Sequence, residues 1–247
     1  MPDSRMPYYA VVIPAFEPDA GLPGIVRAVA TALPRAVVIV VDDGSSARSA
    51  PHFQALPEPG RVVVLRHGSN RGKGEAIKTG LRHVLEHFPG AVGAVTMDAD
   101  GQHLLEDVLA VGARLLRDRD ALVLGERVFS GKVPLRSRLG NGLTRALFNV
   151  ATGMGLSDTQ TGLRGIPLGL VPAILEIGSS RYEFELDMLF LCRERRFPVV
   201  GVEIRTVYIE GNRASHFRPL RDSARVYARL LAFLARLLRA RIVRGGA

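Results

Sequence analysis

Two runs of strand length in this chain stop abruptly on paired carboxylates, and no other feature narrows the fold as far. Ala36-Val-Val-Ile-Val-Val closes on Asp42-Asp43-Gly44-Ser45, and Ala91-Val-Gly-Ala-Val-Thr-Met closes on Asp98-Ala-Asp100-Gly-Gln102-His103. A near-continuous Val/Ile-rich run reads as a strand covered on both faces, which points to a parallel sheet with helices either side. In such sheets ligands bind outside the carboxyl ends of the strands. Two acidic ends side by side would gather four carboxylates into one crevice, and that much charge requires a cation or hydrogen-bond donors. A divalent metal carrying a phosphorylated ligand meets the requirement. Asp-Gly turns after strands are the plain alternative, but they leave Gln102 and His103 unexplained.

The pattern around these ends repeats strand and helix. Strands are predicted over Tyr8–Pro14, Ala36–Asp42, Arg61–Arg66, Ala91–Asp98 and Ala121–Gly125, with helices over Gly21–Leu33, Gly74–Phe88 and Leu104–Arg117. Ser45–Gly60 reads as a loop or short helix. The second half is less regular: a basic loop over Phe129–Leu139, a helix to about Thr152, a short strand Gly162–Ile166, a helix Glu183–Arg195 and a last strand Val199–Ile209. Alternation at this spacing predicts an α/β, doubly wound, mostly parallel sheet with helices on both faces. At 247 residues the chain fits one such domain, its second half supplying the other wall of the cleft.

Charge and cysteine content exclude several classes. A single cysteine, Cys192, rules out an internal disulfide framework and suits a reducing compartment. Met1-Pro-Asp-Ser-Arg-Met-Pro carries no apolar h-region, so no secretory leader is expected. No run approaches the ~20 apolar residues that span a bilayer. The net charge of +9 is uneven, since seven Arg and one Asp between Arg221 and Arg244 supply +6 of it. With no Trp and no recognisable nucleic-acid motif, this charge does not indicate nucleic acid as a partner.

Four local motifs bear on chemistry. Gly68-Ser-Asn70-Arg-Gly72-Lys73-Gly74 is not a Walker loop, because three residues separate Gly68 from Gly72 and Gly74 follows Lys73. Its glycines shape a tight turn into a helix, or bring Lys73 to a nucleotide. His83 and His87 stand four apart on a helix without a third ligand nearby, and read as surface residues. Asp98, Asp100 and Gln102 alternate at a strand end; in an extended segment they share one side, which suits hard oxygen coordination of Mg²⁺ or Mn²⁺, unless Asp100 or Gln102 caps the next helix. Arg127, Lys132, Arg136 and Arg138 then form a basic segment suited to a pyrophosphate and a second anion.

The chain resembles glycosyltransferase family 2 enzymes with the GT-A fold, particularly their polyprenyl-phosphate (dolichol-phosphate mannose synthase-like) branch. The resemblance runs from Val11 to about Tyr227 and rests on Val12-Ile-Pro14-Ala-Phe16, Val41-Asp-Asp43-Gly-Ser45, Asn70-Arg-Gly72-Lys-Gly74-Glu-Ala76 and Asp98-Ala-Asp100-Gly-Gln102-His103. It continues through Val133-Pro-Leu-Arg136-Ser-Arg138-Leu-Gly-Asn141, Asp158-Thr-Gln160-Thr-Gly162-Leu-Arg164, Arg181-Tyr-Glu183-Phe-Glu185 and Ser215-His-Phe217-Arg218-Pro-Leu-Arg221-Asp-Ser223. It implies a GT-A domain over 8–219, with Pro14, Ala15, Phe16 and Asp43 at the nucleoside, Lys73 near the nucleotide, and Asp98, Asp100 and Gln102 holding Mg²⁺ or Mn²⁺ on the diphosphate. By the same resemblance Arg127 and Arg138, with Arg136 a close competitor, face the phosphates, and Ser215, Arg218 and Arg221 belong to a phosphate-contacting loop at the acceptor. One departure stands out: Phe16-Glu17-Pro18 replaces the family's Tyr-Asn-Glu, so a nucleotide contact from Glu17 does not carry over.

The implied reaction is inverting displacement of a nucleoside diphosphate by a polyprenyl phosphate. Such an acceptor is mostly dianionic at neutral pH, its second pKa lying near ~6, so it needs no strong base. A saccharide or other hydroxyl acceptor would need one, and Asp158, Glu183, Glu185 or Asp187 could serve. Residues 220–244 read as a basic amphipathic helix. Arg221, Arg225, Arg229, Arg236, Arg239 and Arg244 fall on one side, while Val226, Tyr227, Leu230, Leu231, Leu234, Leu237, Leu238 and Ile242 fall mostly on the other. This suggests an interfacial helix on anionic lipid at the cytoplasmic face of a membrane, with a separate multi-spanning protein as a possible partner. The alternatives are a helix docked on its own domain with a solvated basic face, and a non-catalytic membrane- or nucleic-acid-associated binding protein.

Overall fold

The computed structural model describes residues 7–57, 60–128, 135–205, 225 and 227–235; of 135–141 and 143 it describes the backbone alone. Seven strands form one sheet: β1 (Ala10–Ala15), β2 (Val38–Asp42), β3 (Val62–Arg66), β4 (Gly93–Thr96), β5 (Leu122–Val128), β6 (Arg164–Pro167) and β7 (Val199–Arg205). Their order is β3-β2-β1-β4-β6-β5-β7. All neighbours run parallel except β6, which is antiparallel to both β4 and β5. The mostly parallel sheet expected from the alternation is therefore present, with one reversed strand that periodicity alone does not reveal.

Side-chain alternation along the strands feeds two cores, one on each face. Ala10, Val12, Ile39 and Val41 point toward α3 (Lys73–His87), α6 (Val171–Leu175) and α7 (Phe184–Arg195). Val11, Ile13, Val38 and Val40 point toward α1 (Leu22–Ala32) and α4 (Leu105–Arg117). Both faces being covered explains why β1 and β2 are buried at every position. The Ser45–Gly60 segment contains a 3₁₀ turn and the short helix α2 (Ala50–Gln54). The helix α5 runs Leu135–Thr152, so it begins inside the stretch expected to be a loop, and Arg136 and Arg138 lie on its first turns.

Within 225–235 the apolar residues do not share one environment. Leu230 and Phe233 are buried in the domain core, where Phe233 stacks on Phe190 of α7 (centroids 4.0 Å, 11°) and Phe190 on Phe148 of α5 (5.4 Å). Arg229 pairs with Asp187 of α7 at 3.3 Å. Leu231 is 64% exposed. The helix is thus docked on its own domain through part of the face assigned to lipid, because the aromatic column supplies a closer apolar partner. No helix among the described residues is long and apolar enough to cross a membrane.

Candidate active site

The register Ala15↔Asp42 sets the carboxyl ends of β1 and β2 level, and β4 joins β1 on its other edge. Pro14, Ala15 and Phe16 therefore border the acidic end of β2. The carboxylate of Asp43 is 2% exposed and is spent on the protein. Oδ1 accepts the Arg71 N–H at 2.8 Å and lies 2.7 Å from His67 Nδ1, while Oδ2 accepts the Gly72 N–H at 2.8 Å. His67 Nε2 reaches Thr79 Oγ1 at 3.0 Å. Asp43 thus shapes loop 67–72. Asp42 caps its own turn by accepting the Ser45 N–H (2.8 Å) and pairing with Arg66 (3.2 Å). Glu17, at φ +45, staples the neighbouring turn by accepting from Ser46 N–H (2.7 Å) and Ser49 Oγ (2.8 Å).

The second acidic end differs from its expected extended form. The strand β4 stops at Thr96, and 99–103 turn through Gly101 at φ +77, with the Gln102 N–H donating to Asp100 Oδ1 at 3.1 Å. Capping does not explain the carboxylates, since α4 begins at Leu105 with no side-chain cap. Asp98 instead has two side-chain nitrogens beside it. Lys73 Nζ lies 2.7 Å from its Oδ1 and His103 Nε2 3.4 Å from its Oδ2. Burial opposes its ionisation, but Lys73 and His103 outweigh that and hold it well below the usual carboxylate range. Asp100 moves the other way, raised by burial and by the charge of Asp98. Two carboxylates that repel one another, with Gln102 following in the same turn, match the needs of a hard divalent cation. Asp98, Asp100 and Gln102 therefore fit such an ion, although no group of three His, Cys, Asp or Glu side chains suited to a metal occurs among the described residues.

Three further elements converge on Asp98. Lys73 also pairs with Glu185 Oε1 at 2.9 Å, tying the acidic turn to α7. Thr96 Oγ1 donates to Gly162 O at 2.8 Å, which draws loop 158–162 alongside. A Cβ on Gly162 would sit 2.6 Å from Asp98 Oδ2, so glycine lets the loop approach without displacing this carboxylate. The Lys73 loop is equally tight: Gly72 has φ +103, and a Cβ there would lie 2.5 Å from Ser180 O.

Arg127 lies at the end of β5 in a fork with Asp158, Nε to Oδ2 at 2.5 Å and Nη2 to Oδ1 at 2.9 Å. Burial opposes the Asp158 charge, but the Arg127 hydrogen bonds and charge hold it below the usual range. The carboxylate is therefore an orienting partner for Arg127. Beneath this loop Arg164 is 1% exposed, its guanidinium bonded to the carbonyls of Thr161 (2.9 Å), Glu185 (2.5 Å) and Thr159 (3.4 Å). Sequence reasoning assigned no role to Gly162 or Arg164; a lone arginine in a four-residue buried strand was the available signal. The side chains of Arg136 and Arg138, and all of Lys132, Ser215, Arg218 and Arg221, lie outside the described residues. His83 and His87 stack on each other at 4.1 Å on α3, away from this cluster.

The acidic turn lies at the carboxyl end of the central strand β4 and the Arg127–Asp158 fork at the end of β5, and comparison with known proteins places this fold among the GT-A glycosyltransferases. It belongs to the Glycosyl transferase family 2, whose pattern matches residues 10–165, and it is a glycosyltransferase. It is 32% identical over 209 residues to polyprenol monophosphomannose synthase of Mycolicibacterium smegmatis, covering 78% of this chain and 75% of that protein. It is 30% identical over 192 residues to UDP-N-acetylglucosamine–dolichyl-phosphate N-acetylglucosaminyltransferase of Methanococcus voltae, covering 70% and 75%. Among solved structures, glucosyl-3-phosphoglycerate synthase of Mycobacterium tuberculosis with Mn²⁺, UDP and phosphoglyceric acid superposes with a TM-score of 0.68 at 18% identity, covering 92% of this chain and 78% of that one.

Proposed function

We propose that this chain transfers a hexose from a nucleoside-diphosphate sugar to a polyprenyl phosphate, with inversion at the anomeric carbon. The relatives named for dolichyl- and polyprenol-linked transfer support the acceptor. The observation that carries the reading is an acidic turn at Asp98–Gln102 after β4 together with a guanidinium, Arg127, oriented by Asp158 at the end of β5. When bound, a divalent cation would neutralise charge growing on the leaving diphosphate; Asp98, Asp100 and Gln102 would hold it. Arg127, fixed by Asp158, would present donors to a phosphate, and a single in-line attack needs placement more than covalent chemistry. Arg136, Arg138, Ser215, Arg218 and Arg221 are proposed to complete the anion-binding wall.

A hydroxyl acceptor is the weaker reading because its candidate bases are engaged. Asp158 is forked to Arg127, Glu185 is paired with Lys73, and Asp187 is paired with Arg229. Glu183 keeps a buried oxygen, Oε2, without a hydrogen-bond partner, whereas Glu185 Oε1, likewise without a hydrogen bond, faces the Lys73 ammonium at 2.9 Å. Nucleotide sugars tested in turn with Mg²⁺ or Mn²⁺, against short polyprenyl phosphates and free saccharides, separate the readings. Transfer to saccharides alone, abolished by Glu183→Gln, would reverse the assignment; donor binding without transfer to anything would remove the enzymatic reading of this site. Membrane contact, at the cytoplasmic face, is proposed through the arginines of 220–244 and the exposed Leu231, with a separate multi-spanning protein as a further partner.

A further inference from the structure

Lys73, expected from the resemblance near the nucleotide, is held between two carboxylates of the site. Its ammonium touches Asp98 Oδ1 (2.7 Å) and Glu185 Oε1 (2.9 Å), and its side chain is only 17% exposed. The chain cannot carry it elsewhere easily. The preceding Gly72 is pinned by its N–H to Asp43 and walled in by Ser180, and α3 starts at Lys73 itself. A fixed positive charge therefore occupies one oxygen of the carboxylate expected to face the metal.

This arrangement has a consequence for loading. A bare divalent cation entering the turn meets Asp98 already paired and is repelled by the ammonium a few ångströms away. A nucleoside diphosphate brings further anionic oxygens, the ligands that Mg²⁺ ordinarily adds to one or two carboxylates. We propose that Lys73 is a built-in counter-ion that makes metal binding conditional on the nucleoside diphosphate, acting through Asp98 as a positioning residue. The inference rests on the metal reading above. Glu185 shares the ammonium, so its charge has the opposite effect: without it, Lys73 is drawn wholly onto Asp98.

Titration of the full chain with Mn²⁺, followed by the electron paramagnetic resonance signal of free Mn²⁺, tests this with no nucleotide, with UDP and with GDP. In the wild type, bare Mn²⁺ should bind weakly and tighten with the diphosphate that fits, by on the order of 5- to 150-fold. Lys73→Met should bind bare Mn²⁺ about tenfold more tightly and lose coupling by the same factor, since coupling is reciprocal. Glu185→Gln should bind it more weakly, and Lys73→Arg should behave as wild type. Opposed signs are what general damage does not produce. Lys73→Met binding no tighter than wild type, or shifting in the same direction as Glu185→Gln, overturns the proposal. If Lys73→Met shows no melting transition, Glu185→Gln decides, and unchanged or tighter binding there overturns it. A wild type that takes up no Mn²⁺ with either diphosphate overturns the metal reading itself, and the counter-ion role with it.

Discussion

Replacing Asp158 by Asn would test whether this carboxylate orients Arg127 or acts as a base. The substitution keeps the volume and one acceptor but removes the charge and half of the fork formed at 2.5 and 2.9 Å. A hydrogen bond to a charged group contributes about 1.5–3 kcal/mol, and breaking a fully buried pair costs about 3–5 kcal/mol. Asp158 is buried, but the Arg127 side chain is 20% exposed and regains water, so a loss near the lower figure, ~2 kcal/mol, is expected. For a chain of this size that lowers Tm by about 4–8 °C. The released guanidinium should cost transfer about 10- to 100-fold, the range ordinary for a misplaced group, mostly in kcat. Thermal melting and steady-state transfer assays across pH 5–9 measure both. Unchanged Tm and kcat would refute the orienting role, and loss of an acid limb from the wild-type pH profile would show Asp158 to be a base. The carboxyl is held low in the folded state, so its stabilisation is present above its unfolded pKa and is lost as pH falls through the lower folded value.

Three other outcomes follow from the geometry. Gly162→Ala places a methyl 2.6 Å from Asp98 Oδ2; metal-dependent transfer should fall by more than about tenfold while Tm changes little, because the carboxylate can swing aside, and full activity would contradict the close approach. Burial pushes the Cys192 thiol and the Tyr9 phenol each up to about 12. Both favour the folded state below their unfolded values and lose that contribution as pH rises toward 12; denaturant midpoints should decline above pH 9, and a thiol reagent should label Cys192 only on unfolding. Leu231→Glu, on the exposed side of the docked helix, should reduce flotation on anionic liposomes without moving Tm. Truncation before Arg221 is the poorer probe, since it strips Phe233 from Phe190.

Much of the sheet was legible because β1 and β2 are buried on both faces and their sequences carry no alternation to misread. The strand β6 was found, but its direction was not, since a four-residue buried strand looks alike in either sense. The start of α5 was missed because Pro134 and a run of basic residues read locally as loop, whereas a helix tolerates proline at or before its first turn. The acidic ends were conspicuous, yet their partners were not. Lys73, Glu185 and Gly162 reach Asp98 or its neighbours from segments far apart in the chain, and no local pattern encodes such contacts.

The sequence by itself determined that two acidic ends close buried strands of a glycosyltransferase family 2 domain. Composition and spacing are enough for the acidic strand ends, and the ordered motifs give the family by resemblance, because each motif is contiguous. Only the tertiary structure decided how those carboxylates are employed. Asp42 and Asp43 are consumed in shaping turns and the 67–72 loop, while Asp98 meets a lysine shared with α7. Whether a carboxylate faces a ligand or a backbone amide depends on which donors the fold brings within about 3 Å, and that distance is set by packing across the sheet.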